Sequence, residues 1–322
     1  MKNRLFLSIR ESCARVAQKA ESVRINQHLL SSYADQLPVN KALNPVMDTE
    51  NHFCEDPEAT LAYFMVLDCI NFGSGWFTDL QLEPGLENGY FTIASRLKKD
   101  FQRRGCYTAE FLQKIGPETC CQIFGQTAES PMAYRLMCLF ASALNDLGGL
   151  LGDEFSGSFQ QLVAAADKSA EMLAGILLRL PFYRDHFPYK NDEVYLLKRA
   201  QTTASDLHIA FKGSGFGQFE DIGNLTIFAD NLVPHVLKVD GILTLRPALE
   251  SKIASGQELT SGSDEEIELR ACGVHAVELL RQEYAGRGIK VSSQGLDYLL
   301  WNRGLDARYK VSPTHVTRCV YY

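Results

Sequence analysis

Apolar residues recur three or four positions apart along most of this chain, and that spacing predicts helices. Between Leu5 and Leu37, Val16, Ala20, Val23, Ile25 and Leu29 stand among charges, giving one or two amphipathic helices that end before Pro38. Asp56 followed by Pro57, with Glu55 and Glu58 beside them, marks a helix start: a carboxylate accepts unpaired amides there, and proline is tolerated in the first turn. The helix expected from Pro57 to Ile70 carries Leu61, Tyr63, Phe64, Met65, Val66 and Leu67, apolar on nearly all sides, so it belongs at the centre of the molecule. A turn, NFGSGW from Asn71 to Trp76, follows; Tyr90 to Leu97 fits either a helix or a short strand. Helices are expected over Thr108–Ile115, Ser130–Leu151 and Ser158–Leu180, with the glycine-rich LGGLLG between Leu147 and Gly152 breaking the last two apart. PFYRDHFPY, from Pro181 to Tyr189, stops helix. Glu193–Phe211 resumes it, with Val194, Leu197, Ala200, Ala204, Leu207 and Phe211 at helical spacing. Pro247–Ile253, Glu265–Tyr284 and Ser292–Asn302 complete the series. Without repeats, low-complexity tracts or a linker, the pattern predicts a single all-α domain over residues 1–322, with room for a small strand element.

Composition narrows the function. The 322 residues are 46% hydrophobic and 22% charged, ample for a large core. A net charge of −7 and pI near 5.6 argue against a nucleic-acid polymer as partner and leave a small-molecule substrate. Nine cysteines contain no CxxC pair and read as reduced core thiols. No leader-like region and no apolar run approaching the ~20 residues of a membrane span is present, so a soluble, cytoplasmic protein is expected. Nothing indicates a metal site, a redox cofactor or a nucleotide-binding glycine loop; GSGFG lacks the spacing and the flanking strand.

Candidate chemistry concentrates in FEDIGNLTIFADNLVPHVLKV, from Phe219 to Val239. The approach to it, KGSGFGQ, places Gly213, Gly215 and Gly217 where tight or left-handed backbone is needed. Glu220 and Asp221 stand at the mouth of an apolar segment, and Asp230 lies within it as an acid expected to be buried and to need a partner. An acidic pair so placed suits cleavage of a glycosidic bond; a helix-capping Asp beside a solvated Glu is the plainer reading.

FEDIGNLTIFADNLVPHVL, YLLKRAQ, NFGSGW, LDYLLWN and RCVYY together resemble the queuosine salvage proteins, the queuosine 5′-phosphate N-glycosylases. The resemblance runs over nearly the whole chain in order. It implies a helical fold similar to the DNA glycosylases and hydrolysis of queuosine 5′-monophosphate, releasing queuine for salvage into tRNA modification. It places Asp221 opposite the oxocarbenium-like sugar as the catalytic carboxylate. Glu220, Asp297 and Asn302 become candidates for the cationic amine and diol of queuine, although the family commonly carries Asp at the first and last of these positions. Asp297 and Asn302, five residues apart, point about 140° from one another on a straight helix. His52 would lie near the base, Phe219 and Trp301 could stack on it, and Lys198 with Arg199 would read the 5′-phosphate. Asp230 would support the site by hydrogen bonds. Other classes remain in view: a non-catalytic queuine- or nucleoside-binding protein, a helical interaction scaffold, and, on fold analogy alone, a DNA glycosylase.

Overall fold

The computed structural model describes residues 4–322. Helix accounts for 61% and strand for 4%, so the all-α expectation holds, and the strand element consists of two short antiparallel pairs. The chain divides into two compact units, each assembled from separate stretches: residues 4–45, 185–201 and 223–318 in the first, and 46–184, 202–222 and 319–322 in the second.

In the first unit the amphipathic helix Leu5–Lys19 packs along the 23-residue helix Asp264–Gly286, burying Ile9, Cys13 and Val16 against Leu269, Cys272 and Ala276 on the long helix's own buried face. The turn that leaves the first helix is fixed by the buried Glu268 carboxylate, which accepts the amides of Glu21, Ser22 and Val23 and the Tyr189 hydroxyl. Val23–Ile25 then pairs with Leu243–Leu245, with Val23 opposite Leu245. The second pair is a hairpin, His186–Tyr189 against Asp192–Tyr195. Glu193–Phe211 is therefore not one helix: its first residues form a strand, and the helix proper is Lys198–Ala210.

In the second unit Pro57–Cys69 is the central helix, capped by the Asp56 side chain on the Ala59 amide at 2.9 Å and buried continuously from Ala59 to Cys69. The undecided stretch at Tyr90 is helical, Gly89–Arg104, because Asn88 caps it by accepting from the Tyr90 amide. LGGLLG does not break a helix but lies inside Pro131–Glu154. Its glycines serve close packing: a Cβ on Gly148 would lie 2.6 Å from the Gln113 amide nitrogen and 2.8 Å from the Ala109 carbonyl oxygen. The break falls later. Ser158–Leu180 splits into Phe159–Ala164 and Ala170–Leu177, each begun by its own serine cap, with Asp167 and Lys168 at positive φ between them. Of the nine free cysteines, six are buried as expected of core thiols; Cys54 and Cys138 are partly exposed and Cys106 is exposed.

Candidate functional site

The segment Leu225–Ala229, in the first unit, is buried throughout yet belongs to no sheet or helix. A buried backbone needs partners for its amides and carbonyls. Side chains supply them. Arg10 donates to the Leu225 carbonyl at 3.0 Å, the Gln201 amide oxygen accepts from the Thr226 N–H at 2.8 Å, Asp297 accepts from the Phe228 N–H at 2.8 Å, and Arg270 donates to the Ala229 carbonyl at 2.8 Å. The result is an extended strap whose position is set by four side chains from four helices. Its next residue is Asp230.

Asp230 is half-buried rather than buried as expected from the apolar sequence around it. Its Oδ1 accepts the amides of Leu232 and Val233, at 2.8 and 3.3 Å, in the opening turn of Leu232–Val239. Its Oδ2 accepts no hydrogen bond from the described residues. One oxygen thus orients the carboxylate while the other remains available.

Lys198 and Arg199 open the helix Lys198–Ala210, and both are buried, at 7% and 2% exposure, which excludes a solvated surface pair. Cations in a first helical turn oppose the helix dipole, whereas an anion at that end is favoured. The turn before them is tightly held. Leu197 sits at φ 50°, a left-handed conformation costing a branched side chain on the order of 1–3 kcal/mol. Asp185 stabilises it: its carbonyl accepts the amides of Leu196 and Leu197, and its carboxylate accepts the Lys198 amide at 3.0 Å. Arg270 grips that carboxylate with both terminal nitrogens, at 2.9 and 2.6 Å, and also meets Glu266 at 3.2 Å. All three side chains are essentially inaccessible, so removing one partner costs about 3–5 kcal/mol.

The structure therefore brings Lys198, Asp230 and Asp297 into one hydrogen-bonded framework within the first unit, with Arg199 next to Lys198 in the same helical turn. Asp297 serves that framework by holding Phe228. Trp301 and Asn302 lie further along the same helix, Ser293–Gly304; Asn302 is exposed and its amide donates back to the Tyr298 carbonyl.

The other expected residues belong to the second unit. The Asp221 carboxylate accepts three hydrogen bonds: Oδ1 accepts the Ala170 amide at 2.6 Å, and Oδ2 accepts the Ser169 hydroxyl at 2.7 Å and the Glu171 amide at 3.1 Å, closing the start of Ala170–Leu177. Glu220 is exposed, with its amide donating to the Lys168 carbonyl, and Phe219 is 6% exposed, a core side chain. Gly213 and Gly215 take positive φ as the sequence required, and what their loop approaches is its own preceding helix: a Cβ on Gly217 would lie 2.3 Å from the Leu207 carbonyl oxygen.

His52 is buried with both ring nitrogens occupied. Nδ1 lies 2.8 Å from the Asp48 carbonyl, which only accepts, so Nδ1 carries the proton and Nε2 accepts from the Tyr90 hydroxyl at 2.8 Å. Burial pushes the imidazole below the ordinary histidine range, with Asp48 opposing, so it is neutral near pH 7. Tyr90 is held protonated by burial first and then by the charges of Asp206 and Asp68. Among the described residues no group of three or more His, Cys, Asp or Glu is disposed to hold a metal ion, and no helix is long and apolar enough to cross a membrane.

Sequence reasoning missed Asp185, Gln201, Glu266 and Arg270. Glu266 and Arg270 form an i,i+4 pair, and Asp185 is the one acid in an aromatic loop; those were the available signals.

Comparison with known proteins agrees with the motifs. The family model described as queuosine salvage protein matches residues 51–322. A protein of Sphaerobacter thermophilus named queuosine 5′-phosphate N-glycosylase/hydrolase is 34% identical over 320 residues, covering 98% of each chain. Relatives of the same name from Dictyostelium discoideum and Mus musculus are 30% and 29% identical, covering 92% and 98% of this chain and 89% and 99% of their own. With a matched region that includes the strap, the buried cations and the central helix, this chain belongs to the queuosine salvage protein family.

Proposed function

We propose that the chain hydrolyses the N-glycosidic bond of queuosine 5′-monophosphate, releasing queuine that re-enters tRNA modification, and that it does so in the cytoplasm on the free nucleotide rather than on a nucleic-acid polymer. The observation that carries the chemical reading is Asp230: a carboxylate with one oxygen fixed by helix amides and the other left to face a ligand. In the reaction the C1′–N9 bond breaks, its electron pair leaves with the base, water supplies hydroxyl to C1′, and a proton ends on the departing base. The sugar passes through an oxocarbenium-like state, which a fixed negative charge stabilises. Asp230 meets that need without reorganisation. Asp221, the choice from sequence, is the second candidate, since three donors already meet its carboxylate.

Lys198 and Arg199 take the 5′-phosphate, supported by their burial in a first helical turn where an anion is the favoured occupant. The 7-deazapurine has no N7 to protonate, so its departure depends on hydrogen bonds to its other edges. The family match and the near-full coverage of the relatives favour one functional domain spanning residues 1–322.

The test is chromatography of free base and ribose 5-phosphate released from queuosine 5′-monophosphate, beside the unphosphorylated nucleoside and guanosine 5′-monophosphate. Stoichiometric binding without release of either product would leave a binding protein and end the catalytic reading.

A further inference from the structure

The cluster that holds Lys198 in place is the same one that holds the strap before Asp230. We propose that Arg270 is a positioning residue that ties the two halves of the site together, acting on Lys198 through Asp185 and on Asp230 through the Ala229 carbonyl. The inference rests on the reading of Lys198 and Asp230 given above. Three observations carry it. The guanidinium is completely buried and divides its donors between Asp185, Glu266 and Ala229. Asp185 in turn closes the left-handed Leu197 turn, from which Lys198 and Arg199 project. Ala229 adjoins Asp230, whose other restraint is the helix start at Leu232 and Val233. A guanidinium presents its donors in a rigid fork, so one group can fix a carboxylate in one direction and a carbonyl in another; an ammonium of the same charge cannot reproduce that geometry.

A purely structural ion cluster would lower stability and turnover alike, without respect to substrate. A positioning role predicts a specific pattern. Arg270→Lys should lower kcat about 30- to 100-fold on both nucleotide and nucleoside, the range expected when a reacting group is displaced by about an ångström. It should also raise KM for queuosine 5′-monophosphate while leaving KM for the unphosphorylated nucleoside within about twofold, because only the former needs Lys198.

The decisive measurement is a double-mutant cycle with Asp230→Asn, with thermal unfolding followed alongside. If Arg270 acts through Asp230, adding Arg270→Lys to Asp230→Asn should cost less than about threefold further in kcat. Multiplied losses, or an equal rise in KM for both substrates, would overturn the positioning role while the site reading stands. Near-normal turnover by Asp230→Asn alone would remove the site reading and this proposal together. Should Arg270→Lys fail to fold, Asp185→Asn takes its place: it keeps the side chain's shape and an oxygen for the Lys198 amide, and should show the same dependence on the phosphate.

Discussion

Two aspartates in one motif, Asp221 and Asp230, can be told apart by a pair of isosteric substitutions whose effects on stability and turnover should be opposite. Asp221→Asn leaves one oxygen for donors that now share two, and turns an NH2 toward one of the backbone amides at Ala170 or Glu171. Hydrogen bonds to a charged acceptor contribute roughly 1.5–3 kcal/mol, about twice a neutral one, so one lost and two weakened bonds at a partly exposed site cost about 2 kcal/mol. For a protein of 322 residues that is a fall of roughly 3 °C in Tm. Turnover should stay within about threefold. Asp230→Asn behaves differently because its amide oxygen can keep the Leu232 and Val233 amides while the NH2 takes the open side. Tm should move by less than about 2 °C, while kcat falls at least a hundredfold, the loss of about 3 kcal/mol expected when a preorganised group opposite developing charge is removed. The assay is base release under saturating queuosine 5′-monophosphate, paired with thermal melts. Loss of turnover in Asp221→Asn with full activity in Asp230→Asn would refute the argument that a carboxylate engaged by three donors is unavailable for chemistry.

Other consequences are open to measurement. Lys198→Ala should raise KM for the monophosphate about ten- to a hundredfold and leave the unphosphorylated nucleoside almost unaffected, as checked by parallel kinetics on both. Gly149→Ala should stabilise by up to about 1 kcal/mol, because nothing lies within 4 Å of a Cβ there and a helical glycine is replaced, whereas Gly148→Ala should destabilise by about 2 kcal/mol through its close contacts; denaturant melts of both variants decide. Acid should destabilise the fold through buried histidine. Burial pushes His315 down to about 3, with Arg270 and His235 adding to it, and lowers His52, His235 and His275 as well. Below about pH 6.5 the unfolded chain binds protons that the folded chain refuses, so stability is complete above that pH and is lost toward pH 3, at up to about 1.4 kcal/mol per pH unit for His315. His315→Gln should flatten the acid limb of a stability profile; an unchanged slope would place the proton uptake elsewhere.

The helices that were legible in the sequence are those whose signals are local. Asp56 with Pro57 caps as expected, and the helices expected from Thr108 and Ser292 begin there with those side chains as caps, because a cap needs only a side-chain oxygen two or three residues from an unpaired amide. Failures came where a distant element decided the outcome. LGGLLG carries every local mark of a breaker, yet its helix continues because Gly148 lets the helix approach the backbone of Ala109 and Gln113. Helical spacing in Glu193–Phe211 was correct from Lys198 onward and misleading before it, where pairing of Asp192–Tyr195 with His186–Tyr189 prevailed. Spacing on its own cannot register a partner strand.

The strap marks the same boundary for function. LTIFAD is apolar enough to announce its burial, but an extended buried segment outside any sheet must find hydrogen-bond partners one at a time, and they come from Arg10, Gln201, Arg270 and Asp297, up to 215 residues away. Arg10 and Gln201 do not stand out by type or spacing, since each is an ordinary polar side chain on a helix, and the i,i+4 pairing of Arg270 with Glu266 does not point to the strap. Their part in the strap comes from the carbonyl or amide each one meets. Asp297 illustrates the consequence: family resemblance placed it at the substrate, and its geometry gives it the Phe228 amide to hold, two residues before Asp230. Asp297→Ala should therefore lower kcat more than it raises KM, and should not narrow the preference for queuosine 5′-monophosphate over guanosine 5′-monophosphate. A collapse of that preference in competitive hydrolysis, with kcat on the queuosine nucleotide retained, would return Asp297 to the cationic amine of the base.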